Sequence, residues 1–200
     1  ETLPTELRGA FSLAPKTDTG SAAAAKTNRA ELEVANRATR GLPGAPLTVV
    51  EFVDYKCPNC LAQEPILKQV IAKYGNKLQL IIRQFPVEST HPGATELSEI
   101  AVCAGEQGRF WPVHDYLYAN QAALPVPLSE GSLASLIQGA GLKADSLAAC
   151  RESGRGERAV RVDYFDGLRF GVRGTPTFFF NGVKAEGVIP LSWWQKAFWW

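Results

Sequence analysis

The chain has 200 residues, of which 46% are hydrophobic, 20% charged and 10% aromatic, and its formal net charge is +1. This composition is typical of a globular protein with a real core, and the balanced charge gives nucleic-acid binding no electrostatic support. No apolar run reaches the roughly 18 residues that predict a membrane-spanning helix. The chain begins at Glu1 and contains no methionine, so we expect a processed chain whose signal or anchor segment has been removed.

The N-terminal half alternates between helical and strand patterns. Residues 21–40 are rich in alanine and charged residues, which predicts a helix, and residues 47–55 are apolar and β-branched, which predicts a buried strand. Pro65 should kink the helix that contains it. The predicted elements are a polar tail over 1–20, a helix over 21–40, a strand over 47–55, a helix over 58–74 and a strand over 78–85.

The C-terminal half begins with a long stretch, 86–171, that has no convincing strand pattern. Its predicted helices are 94–107, 109–120, 129–140, 143–152 and 155–170. Asn181-Gly182 is a strong hairpin signal between two short strands, 177–181 and 183–186, and a final helix runs to Trp200. The order of strand, helix, strand, helical block, hairpin and helix predicts an α/β sheet with an all-helical insertion.

Two of the four cysteines form the motif Cys57-Pro58-Asn59-Cys60 at the start of a predicted helix, directly after a buried strand. One helical turn brings both sulfurs to the same end, close enough to bond. The helix dipole and the unpaired N–H groups of the first turn lower the pKa of the leading cysteine. The position therefore predicts Cys57 as a redox nucleophile and Cys60, one turn further in, as the resolving thiol. Pro58 suits this first turn because its missing N–H would be unpaired there.

The cysteine pair has two other interpretations, a structural disulfide and half of a zinc site. Zinc would need a second close cysteine pair or nearby histidines. The histidines of the sequence are His91 and His114, and neither lies at ligand spacing from a cysteine. We therefore predict no metal and no cofactor. His91 is interpreted as a surface or capping residue and His114 as a packing residue on a helix.

A series of motifs in the right order makes residues 37–191 resemble the DsbA-like group of the thioredoxin superfamily. The motifs are Arg40-Gly41, Ala45 to Phe52, Asp54 to Cys60, Phe85-Pro86, His91-Pro92, Cys103 to Trp111 and Gly171 to Phe179. The resemblance implies a thioredoxin-like α/β fold with an all-helical insertion. The thioredoxin-like domain would cover 41–88 and 172–200, the helical insertion 89–171, and an N-terminal extension, a tail plus a helix, 1–40.

The resemblance also implies how substrate binds. Pro176 matches the cis-proline that faces the redox pair, and cis X–Pro bonds usually mark a constrained turn. With Thr175 before it, this segment would offer backbone groups to an extended substrate chain. Pro58 and Asn59 would lie against the same substrate. The dipeptide is Pro-Asn rather than the Pro-His of the best-known oxidase of the group, so the oxidising strength of the pair stays open.

Glu51 matches the buried acid of the family, which lies on the strand beneath the pair and moves protons to and from the second cysteine. A carboxylate in an apolar strand should have a raised pKa and can serve as such a relay. The alternative is that Glu51 forms an ion pair with Lys77 or another surface cation.

The remaining cysteines, Cys103 and Cys150, both lie in predicted helices of the helical block. Some DsbA-like relatives carry a second, structural disulfide there. The bond would close a loop of about 48 residues and stabilise the fold by about 4 kcal/mol on the chain-entropy model. The alternative is two buried free thiols.

The function implied by the resemblance is a thiol:disulfide oxidoreductase that introduces disulfides into exported proteins. Its partners would be unfolded or reduced protein substrates and a membrane quinone-linked reoxidase of the DsbB or VKOR type, and it would act as a monomer. The even cysteine count is compatible with a periplasmic or other extracytoplasmic location. One alternative is an isomerase or reductase of the same fold, and another is a non-enzymatic, chaperone-like binding module.

Overall fold

The structure is a computed structural model that describes residues 29–33 and 35–198. The strands are β1 (Thr39–Gly41), β2 (Leu47–Val53), β3 (Leu78–Gln84), β4 (Thr177–Phe180) and β5 (Val183–Glu186). The helices are α1 (Arg29–Leu32), α2 (Pro58–Tyr74), α3 (Ala94–Glu106), α4 (Phe110–Ala119), α5 (Glu130–Ala140), α6 (Ala144–Glu152), α7 (Arg155–Arg169) and α8 (Leu191–Ala197). This order confirms the predicted thioredoxin-like α/β fold with helical segments between β3 and β4.

The strands form one sheet in the order β1-β3-β2-β4-β5. The central strand β2 is buried along its whole length and runs parallel to β3, to which α2 connects it. It runs antiparallel to β4, so that Phe52 near the end of β2 pairs with Thr177 at the start of β4. The end of β2 and the start of β4 therefore meet at one edge of the sheet, which brings Cys57 close to Pro176.

Both faces of the sheet are covered, because successive side chains of a strand point to opposite faces. Val49 and Val53 of β2 pack with α2, α3, α4 and α8, where the fully buried Trp194 closes the core. Val50 and Phe52 face the other way, into a smaller apolar cluster with Phe179. Since Glu51 shares its parity with Val49 and Val53, it points to the face covered by α2.

Helix α7 covers the second face of the sheet. A Cβ atom on Gly167 would lie 2.6 Å from the Phe85 ring and 3.2 Å from the Phe52 ring. Glycine at this position therefore allows the close approach of the helix to the sheet. The predicted insertion, 89–171, includes this helix, yet α7 packs on the thioredoxin-like sheet. The helix is assigned to the insertion by its position in the sequence, but in the tertiary structure its buried side packs on β2 and β3.

The predicted helix over 21–40 is wrong at its C-terminal end. Within the described residues the helix ends at Leu32, Asn36 has a φ of 63°, and Thr39–Gly41 is the edge strand β1. The helical propensity of this segment is outweighed by its pairing with β3, where Thr39 lies opposite Ile81. The predicted domain boundary at residue 41 therefore cuts through a strand of the sheet. Residues 21–28 lie outside the described part of the chain.

The last helix is shorter than predicted. It ends at Ala197, and Phe198 stacks on Tyr74 of α2 at a centroid distance of 4.5 Å. Phe198 is the C-cap residue, with φ −106° and ψ 10°. Trp199 and Trp200 lie outside the described residues. Across residues 29–33 and 35–198, no helix combines the length and the apolar character needed to cross a bilayer.

Candidate redox site

The loop between β2 and α2 is held by Asp54, whose side chain is fully buried. One carboxylate oxygen accepts from the backbone N–H of Lys56 at 2.7 Å, and the other accepts from Val87 N–H and lies 2.8 Å from His91 Nδ1. The Asp54 carbonyl accepts from the N–H of Cys57 at 3.1 Å. His91 is therefore a partner of the loop that ends at the nucleophile, beyond the surface or capping role predicted for it.

Cys57 is the N-cap residue of α2, and Pro58 is the first residue of the helix. Both Cys57 and Cys60 are free thiols and both are buried. The Cys57 thiol donates to the carbonyl of Thr175 at 3.2 Å. The peptide bond between Thr175 and Pro176 is cis. The structure thus brings together the cysteine pair, Pro58 and the Thr175-Pro176 segment.

The surroundings of Cys57 favour its thiolate. A hydrogen bond from the Cys60 thiol, another from the side chain of Thr175, and the backbone N–H groups of Cys60 and Asn59 lower its pKa from 9.0 to about 5, against the opposing effect of burial. The Thr175 hydroxyl is buried and has no hydrogen-bond partner within the described part of the chain. It is therefore placed to donate to this sulfur once the thiol has lost its proton.

Cys60 and Glu51 hold their protons more tightly than usual. Burial, the hydrogen bond to Cys57 and the negative charges of Cys57 and Glu51 raise the pKa of Cys60 well above 9.0. Burial, and then the charge of Glu64, raise the pKa of Glu51 well above 4.5. Among the described residues, the Glu51 Oε2 atom has no hydrogen-bond partner, and no salt bridge to this carboxyl group is formed. The predicted alternative, an ion pair with Lys77, is not formed.

The helical block reaches the redox loop through Gln121, which follows α4. Its side-chain amide donates to the carbonyls of Tyr55 and Cys57, each at 3.0 Å. The ammonium group of Lys56 donates in return to the Gln121 carbonyl at 3.5 Å. No local pattern in the sequence pointed to Gln121, because its partners lie more than 60 residues earlier in the chain.

A second polar group that the sequence did not reveal lies beneath α2. His114 is 1% exposed, and its Nε2 atom lies 2.7 Å from a carboxylate oxygen of Glu64. Its Nδ1 atom lies 3.1 Å from the hydroxyl of Tyr55. His114 therefore makes two polar contacts in addition to the packing predicted for it.

Cys103 and Cys150 are joined by a disulfide between α3 and α6, with both residues fully buried. The neighbouring helix α7 packs against this bond at Gly156, where a Cβ atom would lie 2.8 Å from the Cys103 sulfur. The bond links helices of the helical block and is separate from the redox pair.

The sheet order, the cysteine pair at a helix start and the cis-proline opposite it define a thioredoxin-like fold of the kind used by thiol–disulfide oxidoreductases. The chain matches the family model described as Thioredoxin over residues 33–198, and it belongs to that family. The recognition of a member of the thioredoxin superfamily is thereby confirmed.

Solved structures share this fold at low sequence identity. A thioredoxin-like oxidoreductase from Silicibacter pomeroyi DSS-3 has a TM-score of 0.72 and 23% identity, covering 86% of this chain and 95% of its own. The thiol-disulfide exchange protein α-DsbA2 from Wolbachia pipientis has a TM-score of 0.72 and 18% identity, covering 83% and 87%. A periplasmic thioredoxin-like protein from Salmonella enterica serovar Typhimurium has a TM-score of 0.70 and 22% identity, covering 84% and 91%.

Curated relatives match over only part of their length. The Na⁺/H⁺ antiporter NhaA 1 of Salinispora arenicola is 34% identical over 148 residues, which is 74% of this chain and 22% of the antiporter. The antiporter NhaA 3 of Salinispora tropica matches with the same identity and coverage. The chain thus spans less than a quarter of these relatives, and the match does not transfer a transport activity to it.

Proposed function

We propose that this protein is a thiol:disulfide oxidoreductase that introduces disulfides into exported proteins, with Cys57 and Cys60 as its redox pair. The observation that carries the proposal is the opposite proton affinity of the two sulfurs, with a pKa of about 5 for Cys57 and a raised pKa for Cys60. A strongly stabilised thiolate makes the reduced form stable and the disulfide a stronger oxidant, as in DsbA. This favours an oxidase over a reductase.

The exchange follows from these positions. A substrate thiolate attacks the Cys57 sulfur of the oxidised pair, the bond to Cys60 breaks, and Cys60 leaves as a thiolate that takes the proton of Glu51. A second substrate thiolate then attacks the substrate sulfur of the mixed disulfide, and Cys57 leaves as its stabilised thiolate. The substrate gains a disulfide, and the enzyme ends with two reduced cysteines.

An extended substrate chain would lie along Thr175-Pro176, against Pro58 and Asn59. The nearby apolar surface includes Leu61, 37% exposed, and Val188, 39% exposed. These two residues lie on segments that Gln63 ties together, since its side chain accepts from the N–H of Ile189 and donates to its carbonyl. An exposed apolar surface beside the reactive sulfur suits unfolded protein, whose apolar side chains are accessible.

We place the reaction in the periplasm or another extracytoplasmic compartment, with the protein acting as a monomer. The buried disulfide Cys103–Cys150 supports an oxidising location, and one of the structures with the same fold is described as periplasmic. Reoxidation would come from a membrane quinone-linked partner of the DsbB or VKOR type.

The proposal is tested by oxidation of a reduced, unfolded protein that contains several cysteines. The wild-type protein should oxidise it stoichiometrically, Cys57→Ser should not, and Cys60→Ala should accumulate mixed disulfides with substrate. Equal rates for wild type and Cys57→Ser would reject the enzyme and favour a chaperone-like binding module.

The direction of exchange is tested by the reduction potential of the pair. An oxidase should lie toward the roughly −120 mV of DsbA, whereas a value near the −270 mV of thioredoxin would identify a reductase. Faster refolding of a scrambled substrate than of a reduced one would indicate an isomerase.

A further inference from the structure

The side chain of Gln121 holds the backbone on both sides of the nucleophilic cysteine, in the redox loop formed by residues 54–57. Gln121 follows α4 and is 9% exposed, and its amide group donates to the carbonyls of Tyr55 and Cys57, each at 3.0 Å. A glutamine amide has two N–H donors, which matches the two carbonyls that it contacts. Because burying an amide without partners costs free energy, these bonds fix the side chain in place.

The peptide that follows Cys57 depends on its carbonyl for orientation. Its nitrogen belongs to Pro58, which has no N–H to donate. The carbonyl accepts from the N–H of Leu61 at 3.2 Å, as the first bond of α2, and also from Gln121. Cys57 keeps an extended backbone, with φ −74° and ψ 122°, and its sulfur lies 3.2 Å from the carbonyl oxygen of Thr175. The direction of this sulfur therefore depends on the peptide planes that Gln121 holds.

Other contacts tie the same loop to the end of α4. The Tyr118 hydroxyl donates to the carbonyl of Asp54 at 3.4 Å. The ammonium group of Lys56 donates to the carbonyls of Gln121 and Leu124, at 3.5 and 3.4 Å. Every residue of the redox loop is thus bonded to α4 or to the segment that follows it. Gln121 makes the shortest of these contacts, and its amide is the group that reaches the nucleophile.

We propose that Gln121 is a positioning residue that aims the Cys57 sulfur at the substrate chain lying along Thr175-Pro176. The inference rests on the proposed function, because it concerns the approach of the substrate sulfur to Cys57. Disulfide exchange is a displacement at sulfur, and a small misplacement of a reacting atom lowers the rate even when binding is unchanged. The helical block thereby contributes a residue to the exchange site, although both cysteines lie in the thioredoxin-like domain.

The test follows one exchange step in the full-length protein, in a Cys60→Ala background where the mixed disulfide accumulates. The substrate is a cysteine peptide capped with thionitrobenzoate. The Cys57 thiolate attacks the peptide sulfur, and thionitrobenzoate leaves as a coloured thiolate that gives the rate. Gln121→Met keeps the length of the side chain without its N–H donors and should lower the rate at saturating peptide about tenfold, with the half-saturating concentration unchanged. The control Gln138→Met, at an exposed position of α5, should change neither value.

A second variant separates the N–H donors from charge. Gln121→Glu keeps the shape of the side chain but places carboxylate oxygens against two carbonyl oxygens, so it should slow the step at least as much as Gln121→Met. A loss of rate in Gln121→Glu alone would assign the effect to the negative charge and overturn the proposal. A raised half-saturating concentration with an unchanged maximal rate would overturn it as well, because Gln121 would then act in binding.

Two measurements that need no peptide complete the test. Iodoacetamide is small and requires no docking, so it should alkylate Cys57 in Gln121→Met at the reference rate, and an equal slowing of this reaction would reject a positioning role. Carbonyl carbon NMR of labelled Tyr55 and Cys57 should show both signals moving upfield in Gln121→Met, and unmoved signals would contradict the contact. If the wild type reacts with the capped peptide but does not oxidise reduced protein, the proposed function fails and the positioning role stands.

Discussion

At the scale of single residues, two cysteines three positions apart have opposite proton affinities. Cys57 lies at the N-terminus of α2, where N–H groups and the Cys60 thiol stabilise its negative charge, while Cys60 lies in the core beside Glu51. Because the folded-state pKa of Cys57 is lowered, the stabilisation of the reduced protein is complete above the usual thiol pKa and is lost as pH falls through about 5.

The absorbance of the thiolate near 240 nm should therefore titrate with a midpoint near pH 5 in the reduced protein. Thr175→Val removes the hydroxyl placed to donate to the sulfur and should move this midpoint upward. Thr95→Val, on the first turn of α3 away from the pair, is the matched control and should not move it. A wild-type midpoint near the usual value of 9.0 would contradict the assigned environment of Cys57.

At the scale of elements, the helical block depends on close packing around its disulfide. Helix α7 passes Cys103 at Gly156, where a Cβ atom would lie 2.8 Å from the sulfur and 3.1 Å from the Glu99 carbonyl oxygen. Both neighbours are held, one by the bond to Cys150 and the other by the backbone of α3. The sequence pointed to these cysteines as a disulfide pair but did not point to Gly156, because Cys103, which Gly156 contacts, lies on another helix.

Gly156→Ala should destabilise the protein by about 1–3 kcal/mol, the usual cost of overpacking a core. The matched control is Gly131→Ala in α5, where nothing lies within 4 Å of an added Cβ and alanine should be neutral or stabilising by up to about 1 kcal/mol. Denaturant unfolding of the oxidised proteins measures both. Equal stability of the two variants would show that α7 can shift away from the disulfide.

At the scale of the whole molecule, a buried ion cluster joins parts that are distant in the chain. Asp163 of α7 accepts from Arg83 of β3 at 2.7 Å and from Arg37 at 2.8 Å, and it also accepts from the N–H of Gln84. Arg83 continues to Asp166 at 2.6 Å. The cluster ties α7, the sheet and the segment before β1 into one unit.

Asp163→Asn removes the carboxylate that Arg37 and Arg83 share, leaves Arg83 with Asp166, and should cost about 3–5 kcal/mol, as expected when one member of a buried ion pair is removed. Glu157→Gln, which breaks an exposed contact to Arg161 on the same helix, should change stability by less than about 1 kcal/mol. Chemical denaturation at neutral pH compares the two. If both variants lost less than about 1 kcal/mol of stability, water would be solvating the arginine side chains in place of the Asp163 carboxylate.

The elements that matched prediction best are those with strong local patterns. Helix α2 and strand β5 have the predicted bounds, because proline, glycine and the apolar spacing mark their ends within the segment itself. Thr39 and Arg40 were mispredicted as helical because pairing with a strand about 40 residues away outweighed their helical composition. The cysteine pair, Glu51 and Thr175-Pro176 could be named from motifs, and the structure brings them together.

The sequence alone determined the fold class and the position of the cysteine pair at a helix start, since both follow from order and spacing along the chain. Only the tertiary structure decided the partners of that pair. Asp54 with His91, Gln121 with the redox loop, and Glu64 with His114 are contacts between residues 37 to 66 positions apart. These contacts form only when the helices and strands pack against one another, and a local sequence pattern carries no information about residues so far apart in the chain.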